Sequence, residues 1–125
     1  MATRSRIGFE TASGAVMHIY CHYDGYVEGV GKALLSDHND VNKAYELVNG
    51  GTCSTICNQV QRSHNALSEK AWSKNRQSYK QDGANSWEEY QYLWDSRKAC
   101  WLWRKSDSGN WKRLDLTLNR ISQAA

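Results

Sequence analysis

Proline is absent from the 125 residues of the chain, and phenylalanine occurs once. The turns must therefore depend on Gly, Asn, Asp and Ser, which favour turn conformations for other reasons than a fixed φ. No stretch approaches the roughly 20 apolar residues that a membrane-spanning helix needs. The first residues also lack the apolar segment of a secretory signal. We therefore expect a cytoplasmic protein with no membrane partner.

Cysteine is scarce as well, with four residues at Cys21, Cys53, Cys57 and Cys100. An even count predicts disulfides only in an extracellular setting, so we expect free thiols. Cys53 and Cys57, with His64 seven residues on, make an incomplete zinc ligand set, because structural sites normally add a second matched pair. Two thiols four residues apart also suit core packing on one helix face. We expect no metal and no cofactor.

Aromatic residues are the main excess, with six Trp and seven Tyr. These side chains join an apolar body to a polar group, so they suit contact surfaces and cores equally. Charge is uneven along the chain. Residues 1–50 carry four Lys/Arg and six Asp/Glu, whereas residues 51–125 carry twelve and seven. The second half favours an anionic partner such as phosphate, but it lacks the concentrated basic stripe typical of DNA-binding proteins.

The length predicts one domain covering residues 1–125. Periodicity and turn dipeptides predict an α+β fold, an antiparallel sheet of four or five strands with two helices packed on one face. Residues 52–86 have no clear period, and we expect a loop there with one or two helical turns. The predicted strands are 4–10, 15–22, 87–95 and 99–105, and the predicted helices are 27–36 and 41–49. Residues 111–117 are predicted to form a last strand or a short helix.

The segment from Ile19 to Gly31 joins a predicted strand to a predicted helix and concentrates ring and polar side chains. Planar surfaces and both hydrogen-bond polarities at one corner suit a polar, ring-containing ligand. The alternative is a locked turn, with Asp24 capping it and His22 bonded locally. An acid–base pair of His22 and Asp24 is disfavoured, because neighbours leaving a strand need not face each other. The chemistry-bearing residues here are Tyr20, His22, Tyr23, Asp24 and Tyr26.

Residues 87–103 are predicted to form an aromatic hairpin interleaved with basic residues, which has the ingredients of a base-stacking platform. The alternative is a sheet face packed on the helices, and we favour it for the stripe of Tyr90, Tyr92 and Trp94. Trp87 stands apart at the start of a strand. Together with Asn85 and Ser86, it is suited to stack on and hydrogen-bond a small ring system.

Several motifs resemble those of a family of small phage-encoded proteins. They read Thr3-Arg4-Ser5-x-Ile7-Gly8-x-Glu10, Ile19-Tyr20-Cys21-His22-x-Asp24-Gly25-Tyr26, Val30-Gly31 with Leu34-Leu35, and Asn85-Ser86-Trp87-x-Glu89-Tyr90. The chain departs from the usual family pattern at Tyr23, where Trp is common, and at Val27, where Pro is common. Residues 52–84 show no resemblance to that family.

The resemblance implies a phage accessory protein. Proteins of that size and origin often counter host defence without catalysis, and the anti-Thoeris and anti-CBASS sponges sequester cyclic nucleotide signals in oligomer pockets. We therefore expect a non-enzymatic anti-defence protein of the host cytoplasm, a homo-oligomer that binds and sequesters a nucleotide-type immune signal. The alternative is a protein-binding inhibitor of a host enzyme or defence complex. The third hypothesis is a nucleic-acid-binding protein.

The expected binding site is one recess in which the bend after the second strand lies beside the Asn-Ser-Trp triplet. Tyr23 and Trp87 stack on the base, Asn85 and Asp24 bond its edge or the ribose, and the basic pair at 97–98 neutralises phosphate. The full set of predicted ligand-binding residues is Tyr20, His22, Tyr23, Asp24, Tyr26, Asn85, Trp87, Arg97 and Lys98.

Overall fold

The computed structural model describes residues 2–62, 69–84 and 87–124. The described residues form eight strands and four α-helices, the first of which continues from a π-helical segment. The predicted α+β class is confirmed. In chain order the elements are β1 Ser5–Glu10, β2 Val16–Cys21, the π-helical segment Val27–Gly31, α1 Lys32–Asp37, α2 Val41–Asn49, β3 Cys53–Thr55, β4 Gln61–Arg62, β5 Ala71–Ser73, α3 Arg76–Ala84, β6 Tyr90–Asp95, β7 Cys100–Lys105, β8 Ser108–Arg113 and α4 Leu114–Ala124.

Strand β1 lies in the middle of the sheet. The strand order is β4-β3-β2-β1-β6-β7-β8, and β5 also pairs with β2. The β1–β6 and β2–β3 pairs are parallel, so the sheet is mixed and larger than the four or five antiparallel strands predicted. The sequence pattern misses β3, β4 and β5 because strands of two or three residues are too short to show alternation.

One face of the sheet packs against α1, α2 and α4 and is called the three-helix face here. Its core joins sheet residues such as Ile7, Ile19 and Trp94 to Leu34 of α1 and Leu47 of α2. Because strand side chains alternate, Tyr92 and Trp94 fall on this same face and are buried there. The packing alternative for the aromatic stripe is therefore confirmed for these two residues.

The last predicted segment, 111–117, contains both of the predicted alternatives, a strand end followed by a helix. Strand β8 ends at Arg113, and Leu114 starts the helix α4. Leu114 is fully buried, and Leu118, one helical turn later, packs against the same core. The i, i+4 spacing places both leucines on one face of the helix, toward the core.

The opposite face of the sheet is covered by α3 and is called the α3 face here. Tyr79 of α3 is fully buried against Val16, Leu93 and Leu102. Gly8 makes room for it, since a Cβ at that position would lie 2.9 Å from Cζ of Tyr79. The prediction of helices on one face only is thus incomplete, because α3 covers the other. Among the described residues, no helix is long and apolar enough to cross a membrane.

Candidate ligand-binding site

The bend after β2 is held by a backbone hydrogen bond, a tyrosine hydroxyl and one close backbone approach. Asp24 adopts a left-handed φ of 58°, and its carbonyl accepts a hydrogen bond from the Val30 amide at 2.8 Å. The Tyr92 hydroxyl reaches up from the core and donates to the Gly25 carbonyl at 2.6 Å. At Gly29, an added Cβ would overlap the Asp24 carbonyl oxygen, so the close approach requires glycine. This end of the sheet is therefore rigidly shaped.

The side chains of Asp24 and Tyr26 are engaged within the bend. The Tyr26 hydroxyl donates to Oδ1 of Asp24 at 3.2 Å, and this hydrogen bond raises the pKa of Tyr26. The same carboxylate also interacts with the Cys57 thiol, whose pKa is raised chiefly by burial. These contacts correspond to the locked-turn alternative for Asp24.

His22 pairs with Tyr20 rather than with Asp24. The Tyr20 hydroxyl lies 2.7 Å from Nδ1 of His22, and the Tyr23 ring meets the imidazole edge-on at 4.5 Å between centroids. Tyr23 is half exposed. Burial raises the pKa of Tyr20, against the opposing charge and hydrogen bond of Arg4. The result is a partly exposed row of three rings on the end of β2.

Trp87 lines a separate cleft of about 250 Å³ just before β6. Its side chain is 84 % exposed, the largest exposed fraction among the large hydrophobic side chains described. A solvent-exposed tryptophan at the edge of a cleft has its ring face available for stacking. The cleft is lined by Gly83, Trp87, Glu88, Glu89, Lys105, Ser106 and Asp107.

Ser106 is a buried residue in the wall of this cleft. Its amide donates to the Glu89 carbonyl at 2.9 Å, and its carbonyl accepts from Nη1 of Arg104 at 3.3 Å. The residue is 3 % exposed, yet its hydroxyl has no hydrogen-bond partner within the described part of the chain. A buried hydroxyl without a partner is uncommon and costs free energy, typically about 1–3 kcal/mol.

Arg104 fixes the floor beneath the cleft. Its guanidinium donates to Oε1 of Gln91 at 2.5 Å, and Nε2 of Gln91 in turn donates to the Tyr79 carbonyl at 2.7 Å. Nε of Arg104 donates to the Gly109 carbonyl at 3.2 Å. These bonds tie β6, β7, β8 and α3 together, so the Ser106 backbone is held from both sides.

The acidic and basic side chains around the cleft are nearly balanced in number. Nε of Arg6 donates to the buried Glu88 carboxylate at 2.5 Å, which neutralises that acid from the sheet side. Glu89 and Asp107 supply two further carboxylates, and Lys105 supplies one ammonium, placed 5.7 Å from the Tyr90 ring. Arg104, whose Nη1 donates to the Ser106 carbonyl, adds a further cation beneath the cleft.

Arg97 and Lys98 lie at the opposite end of the sheet. They line a cleft of about 680 Å³ with the 11–14 turn, Arg76 and Asp95. Their amides donate to Oδ1 of Asp95 at 2.9 and 3.1 Å, which forms the β6–β7 turn. Strand β6 runs from Tyr90 to Asp95, and five steps of strand cover about 17 Å. One mononucleotide cannot contact both Trp87 and these cations.

The single recess predicted from the sequence is therefore divided. Ser5 pairs with Cys21 on one side and with Tyr90 on the other, so the bend and Trp87 do lie at the same end of the sheet. The Trp87 cleft, however, is lined from α3 and the β7–β8 turn rather than from the bend. Asn85 and Ser86 lie outside the described residues, so their predicted hydrogen bonds stay predictions.

A buried chain of polar groups on the α3 face resembles a hydrolytic triad, which the sequence did not predict. Nε2 of His18 lies 2.9 Å from Oγ of Ser73, which donates to Oδ2 of Asp82 at 2.5 Å. Nη1 of Arg6 lies 3.0 Å from Nδ1 of His18. A guanidinium only donates, so Nδ1 accepts and Nε2 carries the proton. Burial and the Arg6 charge lower the pKa of His18 to about 4.

The direction of these hydrogen bonds does not allow Ser73 to act as a nucleophile activated by His18. The imidazole donates to Ser73, so it cannot at the same time take the serine proton, which is directed to Asp82. His18 and Ser73 are also buried, at 4 % and 5 % exposure. These hydrogen-bonded side chains therefore hold β2, β5 and α3 together. The sequence gives little indication of this arrangement, because His18 and Ser73 lie far apart in the chain and belong to no motif.

Three cysteines, Cys21, Cys53 and Cys57, lie near the bend. Cys21 and Cys53 are partners in the parallel β2–β3 pair, and burial raises the pKa of Cys21 to about 12. Among the described residues no group of three or more His, Cys, Asp or Glu side chains is placed to hold a metal ion. His64, the third member of the zinc pattern considered above, lies outside the described residues.

The comparisons with known proteins return no match. No family model matches the chain. No curated protein and no solved structure matches it either.

Proposed function

We propose that this chain is a phage accessory protein that binds and withholds a nucleotide-type host immune signal without catalysis. The observation that carries the proposal is the placement of Trp87, whose ring is 84 % exposed at the lip of a cleft. Stacking a base on an aromatic side chain contributes about 1–3 kcal/mol and tolerates any base. The resemblance to phage-encoded proteins supports the anti-defence role, exercised in the host cytoplasm.

The division of the site changes the roles assigned to individual residues. Trp87 and the cleft behind it serve the base, and the row of Tyr20, His22 and Tyr23 offers a second ring surface at the same end of the sheet. Asp24 and Tyr26 shape the bend. Arg97 and Lys98 lie too far away to neutralise the phosphate of that same nucleotide, so they take no part in this site.

Oligomer formation belongs to the same proposal. Strand β8 pairs with β7, and within the described residues no strand pairs with its outer edge. An open edge of six residues can accept a strand from a second copy. Sedimentation or native mass spectrometry of the purified protein measures the state directly, and a pure monomer would contradict this part of the proposal.

The experiment is a binding screen with recovery of the ligand. Purified protein is titrated calorimetrically with a panel of linear and cyclic mono- and dinucleotides, and the bound fraction is released by heating and analysed by mass spectrometry. We expect saturable binding by at least one member, which is released intact. Trp87→Ala should weaken binding by fivefold or more, whereas Trp72→Ala removes another exposed tryptophan, in β5, and should not.

Three results would contradict the proposal. Saturable binding that Trp87→Ala leaves unchanged places the ligand elsewhere. Recovery of a hydrolysed product shows an enzyme rather than a sponge. Absence of binding across the whole panel removes the nucleotide ligand.

A protein-binding inhibitor of a host enzyme or defence complex is the second candidate. Val41 and Tyr45 of α2 are about half exposed, and Trp72 of β5 is 59 % exposed. Aromatic residues of this kind are enriched at binding hot spots. This candidate predicts that a host protein co-purifies with the chain and that Tyr45→Ala or Trp72→Ala releases it. Trp87→Ala would leave such a complex intact.

A further inference from the structure

We infer that the cleft lined by Arg97 and Lys98 is a second binding site, which takes a phosphate ester with a polar, hydroxyl-bearing body such as a sugar phosphate. The inference goes beyond the proposed function, because this cleft lies at the opposite end of the sheet from Trp87. Three observations support it: the shape of the cleft, the charges around it and the chemistry of its lining.

Three hydrogen-bonded segments enclose the cleft. The β1–β2 turn is closed by the Thr11 amide, which donates to the Ala15 carbonyl at 2.8 Å. The β6–β7 turn is closed by the Ala99 amide, which donates to the Asp95 carbonyl at 2.8 Å. On the third side, the Asn75 side chain accepts from an amide in the first turn of α3. The enclosed volume of about 680 Å³ lies within the roughly 300–1,000 Å³ of small-molecule sites.

The two acidic residues of the lining are buried and paired. Arg76 donates from Nε to Oε2 of Glu10 at 3.0 Å and from Nη2 to Oε1 at 2.8 Å. The same Nη2 lies 3.3 Å from Oδ2 of Asp95. The side chains of Glu10 and Asp95 are 11 % and 4 % exposed, so little of either carboxylate faces the cleft. One guanidinium thus compensates both acids at the floor.

The other two charged residues of the lining are basic and exposed. Arg97 and Lys98 make no ion pair or side-chain hydrogen bond with any residue that the structure describes. Their backbone is fixed nevertheless, because both amides donate to Oδ1 of Asp95. The lining therefore has three basic and two acidic side chains, and its solvent-exposed charges are positive. Guanidinium and ammonium groups are the usual partners of phosphate.

The described residues that line this cleft include no aromatic ring. A base therefore finds no stacking surface here, in contrast to the Trp87 cleft. The lining instead has the exposed hydroxyl of Ser13 and the side-chain amide of Asn75, which can hydrogen-bond the hydroxyl groups of a sugar. The Ser96 hydroxyl is engaged, since it donates to the Glu10 carbonyl. These features favour a phosphorylated sugar over a free base.

The test titrates the protein with ribose 5-phosphate, ribose and inorganic phosphate by calorimetry at fixed ionic strength. We expect ribose 5-phosphate to bind at least about fivefold more tightly than ribose or phosphate. Arg97→Gln combined with Lys98→Gln should weaken it at least about tenfold, because two charge-assisted contacts are lost. Lys32→Gln combined with Arg120→Gln removes the same charge from exposed positions in α1 and α4 and should leave the affinity within about twofold.

Each contrary outcome overturns a stated part of the inference. Equal weakening in the two double variants shows general charge attraction and removes the site. Ribose binding as tightly as ribose 5-phosphate removes the role of the phosphate, and inorganic phosphate binding as tightly removes the role of the sugar. Weakening by Trp87→Ala places the ligand in the other cleft. No binding of ribose 5-phosphate overturns the inference while the nucleotide proposal stands, and failure of the nucleotide panel leaves this inference standing.

Discussion

Nε2 of His18 donates to Oγ of Ser73 across 2.9 Å inside the α3 face, and this direction of donation is set by Arg6 on the other ring nitrogen. Protonating Nδ1 of His18 would place its N–H against the Arg6 guanidinium, which is also a hydrogen-bond donor. It would also put a cation in a buried site, where desolvation disfavours the charged form. His18 is therefore held neutral in the folded protein far below its ordinary pKa of 6.5.

The first prediction concerns acid stability. The folded pKa of about 4 lies below the unfolded value of 6.5, so the unfolded chain binds more protons between these pH values. The stability that neutral His18 contributes is complete above pH 6.5 and falls as the pH drops toward 4. The loss from this residue is about 3 kcal/mol. Chemical denaturation across this range measures it, and NMR titration of the imidazole gives the pKa directly. A His18→Gln variant should show a flatter pH profile.

The second prediction contrasts two buried serines. Ser106→Ala removes a hydroxyl without a partner, so the free energy of unfolding should stay the same or rise by up to about 1 kcal/mol. Ser73→Ala leaves both His18 and Asp82 without their bonded partner and should lower it by about 1–3 kcal/mol. Urea denaturation of the two variants side by side measures the contrast. Equal losses in the free energy of unfolding would mean that the Ser106 hydroxyl has a hydrogen-bond partner in solution.

The third prediction concerns Tyr79, the largest buried side chain of α3. Its hydroxyl donates to the Tyr92 carbonyl at 2.8 Å and lies 3.1 Å from the Arg6 carbonyl. Tyr79→Phe leaves these buried acceptors short of a donor and should cost about 1–2 kcal/mol of stability. Tyr45→Phe is the matched control, because that hydroxyl belongs to a half-exposed ring. The control should change stability by less than about 0.5 kcal/mol.

The fourth prediction tests the close approach at the bend. Helix propensity favours Ala over Gly by about 1 kcal/mol, so Gly29→Ala would stabilise an unconstrained helix. Here the new methyl would overlap the Asp24 carbonyl oxygen. We expect a net loss of about 1–3 kcal/mol instead, as in other overpacked sites. Glu28→Ala, an exposed neighbour, should be nearly neutral. Thermal denaturation of both variants decides between propensity and packing.

The longer elements of this fold can be predicted from sequence because each carries its own periodic signal. Helix α2 occupies Val41–Asn49 as predicted, and the Asp40 side chain caps it by accepting from the Lys43 amide at 2.8 Å. The alternation through β6 correctly places Tyr92 and Trp94 in the core. In these segments the local pattern and the tertiary packing agree.

Helix α3 and the parallel pairing could not be predicted in this way. Helix α3 is mostly polar, with two Gln and one each of Arg, Ser, Lys and Asp, and its contact with the sheet depends mainly on Tyr79, so it has no apolar stripe. The pairing of β1 with β6 depends on residues far apart in sequence, and no local pattern specifies which strands become neighbours.

The candidate site was predicted in part. An exposed Trp87 can be anticipated from its position before a strand, beside turn-forming residues. Ser106 cannot, because a lone serine before a turn carries no signal until its burial and missing partner are known. The separation of Trp87 from Arg97 follows from strand length alone, since the two residues flank opposite ends of a single extended segment.

The parallel contact between Ser5 and Tyr90 has a consequence for biosynthesis. The ribosome makes the central strand β1 before either neighbour, and β6 emerges only after β2 to β5 and the helices α1 to α3. Until then the nascent chain holds an unprotected edge in the middle of its future sheet, a surface that attracts foreign strands. Completion of the fold is thus a late event, and such non-local closure is intrinsically slow.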